Sequence, residues 1–193
     1  MKVAIIGKGH VGSSIAKGLT GKGHEVKFGH RDPKEPVLDA AKWGEVIFIV
    51  VPYNSISDTI KELDKAANGK VVVDVTNEID SDGELAVGLT TSGAEEMQKK
   101  LPKAFVVKAF NTVFAANQGS GRVGNETLSL FVASDSDKAK ETIMQLGRDI
   151  GFEPVDAGPL KNARYLEPMA MLIIDMAYVL GKGTNIGYKV VKG

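Results

Sequence analysis

No cysteine occurs in the sequence, which excludes disulfide bonds and thiolate chemistry and fits a protein of the reducing cytoplasm. An excess of either charge is also lacking, since 24 basic residues match 24 acidic ones and leave no basic footprint for nucleic acid. Long apolar runs are missing as well. The longest, Met169–Leu180, is interrupted by Asp175 and falls short of the ~20 residues that a membrane span needs. We therefore expect a cytoplasmic protein without nucleic-acid or membrane partners.

Apolar, strand-like segments alternate with helix-like segments along the chain. This alternation predicts an α/β fold, a doubly wound parallel sheet of the Rossmann type in a three-layer αβα arrangement. The expected order of the main strands is 3-2-1-4-5-6. The predicted strands are Val3–Ile6, Glu25–Phe28, Val46–Val51, Lys70–Val75, Ala104–Phe110 and Leu128–Ala133, with a short last one at Pro154–Val155.

Helices are predicted between these strands from apolar spacing and capping residues. Asn54 or Ser55 is expected to cap the third of them, and Ser92 with Glu95 resembles a capping box. A long polar connection covers Thr76–Thr90. Apart from the helix that follows Val3–Ile6, the predicted helices are Pro36–Lys42, Asn54–Ala67, Ser92–Leu101, Asp137–Ile150 and Asn162–Leu180, the last containing Pro168.

A Gly-x-Gly-x-x-Gly motif follows the first strand directly and opens the first helix. In a dinucleotide-binding fold, Gly7 permits the sharp turn, Gly9 lets the backbone approach a pyrophosphate, and Gly12 lets the helix pack against the strand. The N-terminus of that helix offers unpaired N–H groups to the phosphates. The motif predicts a site for NAD(H) or NADP(H).

The same pattern recurs at Gly119-Ser-Gly121-Arg-Val-Gly124 in a different context. No strand precedes it, and the strand-like segment Leu128–Ala133 rather than a helix follows. We interpret this second copy as a mobile turn, because the phosphate-binding role requires a strand before the glycines and a helix after them.

The turn after the second strand bears on the choice between NAD and NADP. An NAD site usually places Asp or Glu about 20 residues past the glycines, to bind the ribose 2′-hydroxyl. Here the turn carries His30 and Arg31, with Lys34 close behind. Arginine binds a phosphate through its planar fork, so the turn favours NADP(H). Asp32 would weaken that preference if it, rather than Arg31, faced the ribose.

Residues after the other strands complete the predicted site, because ligands of open α/β sheets bind beyond the carboxyl ends of the strands. Pro52 would present Tyr53 toward the nicotinamide, although Tyr53 equally suits a half-buried wall position. Uncharged hydrogen-bonding groups follow the next two strands: Thr76, Asn77, Asn111 and Thr112.

Acid–base groups are scarce among these candidates. His10, His24 and His30 lack the mutual spacing of metal ligands, so no metal site is predicted. Lys161 and Tyr165 are expected on the surface or at a helix start. Because no proton donor stands out, we predict no catalytic side chain and direct hydride transfer to an acceptor such as a flavin or deazaflavin.

The sequence resembles the family of NADPH-dependent reductases of coenzyme F420, the 8-hydroxy-5-deazaflavin coenzyme. The resemblance covers nearly the whole chain. It depends on the opening Val-Ala-Ile-Ile-Gly with Gly9 and Gly12, Gly29-His30-Arg31, Val50-Val51-Pro52, Val72–Asn77, Val107–Thr112, and Asp156–Leu160 before a long helix.

The resemblance implies NADP(H) under the glycine loop, and a deazaflavin over the nicotinamide in a cleft partly walled by the C-terminal segment. Residues 1–157 would form the NAD(P)-binding domain, and residues 158–193 a helix and tail that complete the cleft. The chain departs from the archaeal members at Lys8, His10, Asp32 and Asn111. From the residues and the resemblance together, the predicted cofactor-binding residues are Gly7, Lys8, Gly9, His10, Val11, Gly12, His30, Arg31, Lys34, Val51, Pro52, Tyr53, Thr76, Asn77 and Asn111.

Two other functions stay open. One is an NADPH reductase of a small carbonyl or imine compound, with Tyr53 or Tyr165 as proton donor. The other is a non-catalytic NADP(H)-sensing module, in which the nicotinamide face would be closed. We also expect a homodimer near the last helix, because apolar stripes on a helix mark a core or a subunit interface. That stripe is Leu166, Met169, Ile173, Met176 and Leu180.

Overall fold

The computed structural model describes residues 1–80, 83–88 and 90–191. Residues 81, 82 and 89 of the predicted polar connection lie outside the described residues, as do residues 192 and 193 of the predicted C-terminal segment. No helix in the described part of the chain has both the length and the apolar character needed to cross a membrane.

A seven-stranded sheet forms the centre of the molecule, and a separate two-stranded hairpin lies at residues 122–127. Helices cover both faces of the sheet. The strands are β1 (Lys2–Ile6), β2 (Glu25–Gly29), β3 (Val46–Ile49), β4 (Val71–Asp74), β5 (Phe105–Ala109), β6 (Arg122–Val123), β7 (Glu126–Thr127), β8 (Ser129–Ala133) and β9 (Glu153–Asp156). The α-helices are α1 (His10–Thr20), α2 (Val37–Trp43), α3 (Ile56–Leu63), α4 (Gly93–Lys100), α5 (Ala115–Gln118), α6 (Asp137–Ile150) and α7 (Ala163–Tyr178).

Alternating side chains of the strands bury two separate apolar cores, one on each face of the sheet. In β1, Val3 and Ile5 belong to the core under α1 and α6, whereas Ala4 and Ile6 belong to the core under α2, α3 and α4. Side chains of a strand point alternately to its two faces, so both faces of β1 are covered. The predicted three-layer αβα architecture is confirmed.

The predicted strand order is wrong at one edge of the sheet. The observed order is β2-β1-β3-β4-β5-β8-β9, so β3 lies between β1 and β4, and β2 lies at the edge. All four residues of β3 are buried, whereas exposed and half-buried residues alternate along most of β2. A strand that is apolar on both faces is most stable in the interior of a sheet, which explains why β3 is central.

The sheet is mixed rather than wholly parallel. β8 runs antiparallel to β5, with Lys108 opposite Ala133 and Ala109 opposite Val132. Between these strands the chain forms only the four-residue helix α5 and the β6–β7 hairpin. This connection reverses the chain instead of returning it to the amino end of the sheet, as a helical crossover does.

Local expectations hold at most helix boundaries, with one correction. Ser92 Oγ accepts a hydrogen bond from the Glu95 N–H and caps α4 as predicted. Neither Asn54 nor Ser55 caps a helix, because Tyr53–Ser55 forms a 3-10 turn without a side-chain cap, and α3 continues from it at Ile56. Ser55 Oγ donates instead to Asn54 Oδ1 at 3.3 Å.

Candidate active site

The glycine loop after β1 holds its shape for reasons internal to the chain. Gly7 has a φ of +115°, and a Cβ there would lie 2.1 Å from the Val50 carbonyl oxygen. A Cβ on Gly12 would lie 2.2 Å from the Gly7 carbonyl oxygen. A Cβ on Gly9 would meet no atom within 4 Å. Two glycines are therefore required by the fold, and the third leaves room for a ligand.

The start of α1 faces this open space without a capping side chain. Gly9 is the N-cap residue, and within the described part of the chain no side chain caps the N–H groups of the first turn. Such a helix start is suited to an anion, since its N–H groups and its dipole both favour negative charge.

The turn after β2 is closed by its own backbone. The His30 N–H donates to the Glu35 carbonyl oxygen, and the Glu35 N–H donates to the Asp32 carbonyl oxygen, both at 2.9 Å. Asp32 Oδ1 accepts from the Lys34 N–H at 2.9 Å, so this carboxylate is bonded within the turn. Arg31 donates to Ser55 Oγ at 3.2 Å across the start of α3.

A groove of about 1000 Å³ connects the glycine loop with this turn. Its floor includes Ile6 at the end of β1, and its far wall is formed by the segment after β3 and the first turns of α3. Seven residues of the predicted site line it: Gly7, Lys8, Gly9, His30, Arg31, Val51 and Pro52.

A second cavity, of about 640 Å³, lies beyond the carboxyl ends of β4 and β5. Asn111 Nδ2 donates to Asn77 Oδ1 at 3.3 Å and to the Leu166 carbonyl oxygen at 2.8 Å, so this amide joins the cavity wall to α7. Four residues of the predicted site line it: His10, Val11, Asn77 and Asn111. The cavity also contains residues that the sequence did not single out as site residues: Phe114, Ile173, Ile174, Tyr178 and Thr184.

Four predicted site residues line neither of these cavities. Gly12 lies under the glycine loop, and Lys34 is exposed at the rim of the turn. Tyr53 packs against the core beneath α3, and burial, followed by the charges of Glu78, Glu167 and Glu96, raises its pKa. Thr76 is buried, and its hydroxyl lies 2.6 Å from Asp74 Oδ1.

A buried ionic cluster lies beside the second cavity, and the sequence argument missed it. Lys108 Nζ lies 3.0 Å from Asp74, 3.3 Å from Glu78 and 3.0 Å from Glu167, and all four side chains are inaccessible to solvent. The signal was present in part, because Asp74 and Lys108 interrupt two apolar strands and are register partners in the sheet. Glu167, on α7, could not have been placed from sequence.

The cluster has a distinctive charge balance. Burial, reinforced by Asp74 and Glu167, raises the pKa of Glu78 from 4.5 to about 8 in spite of Lys108. Burial alone would lower the pKa of the Lys108 ammonium, but the three carboxylates outweigh it and raise that pKa above its usual range. The carboxylate oxygens lie within 4.8 Å of one another, and the cation that they surround is Lys108.

Glu167 also bonds the start of α4. Its two carboxylate oxygens accept hydrogen bonds from the Gly93 and Ala94 N–H groups at 3.1 and 3.3 Å. The cluster therefore joins β4, β5, α4 and α7 at one point. Because α7 contributes Ile173, Ile174 and Tyr178 to the second cavity, the cluster fixes one wall of that cavity.

Comparison with known proteins agrees with this architecture. The sequence profile of the family described as "NADP oxidoreductase coenzyme F420-dependent" matches residues 2–78. The F420-dependent NADP reductase of Methanothermobacter thermautotrophicus is 30% identical, over 91% of this chain and 89% of the relative. The crystal structure of a candidate F420-dependent NADP reductase from Arthrobacter sp. FB24 superposes with a TM-score of 0.93 at 27% identity, covering 100% of both chains.

Metalloreductases also occur among the relatives. The metalloreductase STEAP3 of Rattus norvegicus is 33% identical over 90% of this chain, but the match covers 37% of that relative. The chain thus spans little more than a third of the length of the metalloreductases that it matches. Its match with the Methanothermobacter reductase covers about nine tenths of both proteins. The chain therefore belongs to the family of coenzyme F420-dependent NADP oxidoreductases.

Proposed function

We propose that this protein is an NADP(H)-dependent oxidoreductase that transfers a hydride directly between the nicotinamide and a deazaflavin or flavin acceptor. One observation carries the proposal: the two cavities adjoin at consecutive residues, Gly9 lining the groove and His10 lining the second cavity. A dinucleotide in the groove would thus extend to the edge of a second ligand site. A sensor that only binds NADP(H) has no need of that second cavity.

The lining of the groove suits NADP(H). Gly7 and Gly9 with the open start of α1 would bind the pyrophosphate, and Lys8, His30 and Arg31 would bind the ribose 2′-phosphate, with Lys34 adding positive charge at the rim. Val51 and Pro52 would border the cofactor on the side of β3. When bound, NADPH supplies the hydride, and the residues of this chain orient it.

The second cavity fits a flat, weakly polar ring better than a carbonyl or imine substrate. Its polar groups include the amides of Asn77 and Asn111, and much of its wall is apolar. A carbonyl reductase needs a proton donor at the acceptor; Tyr53 and Tyr165, our candidates for that role, line neither cavity, and the second cavity offers His10 and Tyr178 in their place. Direct transfer between two stacked rings depends mainly on proximity, which this arrangement supplies. In this proposal, residues 158–193 complete the acceptor site.

A homodimer is the second part of the proposal. Part of the apolar stripe predicted on α7 cannot form a subunit contact, because Leu166 and Ile173 are buried in the core of the monomer. An adjacent face is exposed, with Tyr165 and Leu172 of the same helix and its C-cap residue Val179 at seven-residue spacing and between 55% and 76% accessible. Such a seam is typical of helix–helix association between subunits. The cysteine-free sequence supports a cytoplasmic location.

The test is the oxidation of NADPH by the purified protein with coenzyme F420, FMN, FAD or riboflavin as acceptor, and with NADH in parallel. We expect turnover with one of these ring acceptors and a preference for NADPH. Tight binding of NADPH without oxidation by any of the four would contradict hydride transfer to a flavin-like acceptor. Failure to bind NADPH at all would contradict the cofactor assignment.

A further inference from the structure

Glu35, in the turn after β2, is a residue to which the sequence argument assigned no role. Its carboxylate accepts two hydrogen bonds from Lys8 Nζ, at 2.9 and 2.8 Å, and it is also bonded to His30 Nε2. Lys8 belongs to the glycine loop and His30 to the turn after β2, so Glu35 joins the two cation-bearing segments of the groove. Hydrogen bonding to Lys8 holds the pKa of the Glu35 carboxyl below its usual range, and the group is ionised at neutral pH.

We propose that Glu35 acts as an internal substitute for the ribose 2′-phosphate and thereby determines how strongly the protein distinguishes NADPH from NADH. The inference rests on the proposed function, since it assumes that the groove binds the dinucleotide. In the unliganded protein the carboxylate neutralises Lys8 and bonds His30. Binding of NADPH exchanges this internal anion for the phosphate.

Charge favours the exchange. A phosphomonoester has close to two negative charges at neutral pH, and Glu35 has one, so Lys8, His30 and the nearby Arg31 attract the phosphate more strongly. Displacing Glu35 costs little, because 36% of its side chain is already accessible to water. Surface ion pairs of this kind are weak, because water already solvates both charges.

The same carboxylate assists the competing cofactor. NAD sites use an acidic residue about 20 residues past the glycines to accept a hydrogen bond from the ribose 2′-hydroxyl. Asp32 is bonded to the backbone of its own turn, whereas Glu35 is bonded to Lys8 and His30, two side chains that line the groove. A 2′-hydroxyl cannot displace the ion pair, but it can donate to Glu35. Glu35 therefore lowers the affinity for NADPH and raises the affinity for NADH.

The experiment measures binding of NADPH and NADH to the wild type and to Glu35→Gln, by fluorescence titration. The nicotinamide-free probes 2′,5′-ADP and 5′-ADP are titrated by calorimetry, so that the result does not depend on hydride transfer. We expect NADPH and 2′,5′-ADP to bind about threefold more tightly to Glu35→Gln and NADH about threefold more weakly, which is a tenfold change in their ratio. Glu141→Gln, which removes an exposed ion pair with Arg148 on α6, is the matched control and should leave the ratio unchanged.

A double-mutant cycle with Lys8→Gln isolates the exchange. The gain in NADPH affinity from Glu35→Gln should disappear when Lys8 is also replaced, because the released cation is then absent. An unchanged ratio in Glu35→Gln, or weaker NADPH binding, overturns the inference while leaving the proposed function intact. If the wild type binds neither NADPH nor 2′,5′-ADP, the proposed function and this inference both fail.

Discussion

Single residues in the groove separate what the fold requires from what the cofactor requires. Gly7 and Gly12 are fixed by close contacts within the chain, whereas the Cβ position of Gly9 is open, and Arg31 bonds the hydroxyl of Ser55. Substitutions at the first pair should therefore act on folding. Substitutions at the second pair should act on binding.

We expect Arg31→Ala to weaken NADPH binding by roughly tenfold or more and to change NADH binding little. A charge-assisted hydrogen bond to phosphate contributes about 1.5–3 kcal/mol, and NADH has no 2′-phosphate to lose it. Titration of both cofactors checks this, with Arg122→Ala in the exposed β6–β7 hairpin as the control. Equal losses for both cofactors would defeat the assignment of Arg31 to the 2′-phosphate.

Gly9→Ala and Gly7→Ala should have opposite signatures. Gly9 has a φ of −78° and open space around its Cβ position, so alanine should leave the free energy of unfolding within about 0.5 kcal/mol of wild type. Its methyl group occupies the space for the pyrophosphate, so NADPH affinity should fall by roughly tenfold or more. Gly7→Ala should destabilise the protein strongly, through its φ of +115° and the contact with Val50. Denaturant unfolding with NADPH titration measures both; a stable Gly9→Ala variant that binds normally would contradict the placement of the phosphates.

At the scale of elements, the buried cluster determines how the last helix joins the sheet. Glu167 of α7 bonds Lys108 of β5 and the first N–H groups of α4, and Asp74 ends β4. Removing one partner of such a cluster leaves uncompensated charge in the interior, which is strongly destabilising. In this cluster three buried carboxyl groups surround one ammonium. The pKa of Glu78 is therefore raised to about 8, and Glu78 keeps its proton below that pH.

Glu78 should make stability depend on pH. Its pKa is about 8 in the folded protein and 4.5 in the unfolded chain, so the folded state binds the extra proton between these values. The free energy of unfolding should therefore decrease as pH rises from about 5 to 8, by an amount on the order of a few kcal/mol. Glu78→Gln cannot ionise and should flatten that decrease, whereas Glu141→Gln should keep it. Denaturant unfolding at pH 5, 6.5 and 8 tests this, and an unchanged slope in Glu78→Gln would refute it.

Element boundaries followed the sequence closely where the signal was local. α6 begins and ends where it was predicted, at Asp137 and Ile150, and β9 lies within one residue of its expected position at each end. The segment Asn54–Ala67 was predicted as one helix, but a 3-10 turn precedes α3 and another follows it. Tyr53–Ser55 after Pro52 forms the tighter 3-10 turn, so the α-helix proper begins only at Ile56.

At the scale of the whole molecule, the position of each strand depends on how many of its faces and edges must be covered. β3 is apolar at every position and occupies the interior, whereas the alternating β2 serves as an edge. The expected order was taken from a common dinucleotide fold rather than from this difference in burial. The unbroken apolar run of β3 already favoured a central position.

The exposed seam on α7 leads to a prediction about assembly. Leu172 is 55% accessible and lies at the centre of the seam. We expect Leu172→Lys to shift a homodimer to monomers, since a buried lysine without a partner opposes association. Sedimentation velocity measures this, with Val191→Lys, an exposed apolar residue outside α7, as the control. A wild-type protein that sediments as a monomer at high concentration would contradict the proposed dimer.

The sequence by itself determined the three-layer α/β fold, the positions of its main strands, the glycine loop and the cationic turn, because each depends on residues that are neighbours in the chain. Tertiary structure alone decided the strand order, the antiparallel β8, the Lys108 cluster, the partners of Glu35 and the second cavity with its wall from α7. The physical reason is shared: these features depend on which distant side chains meet once both faces of the sheet are buried. Asp74 and Lys108 appeared in the sequence only as isolated charges in apolar strands, and the fold made them partners.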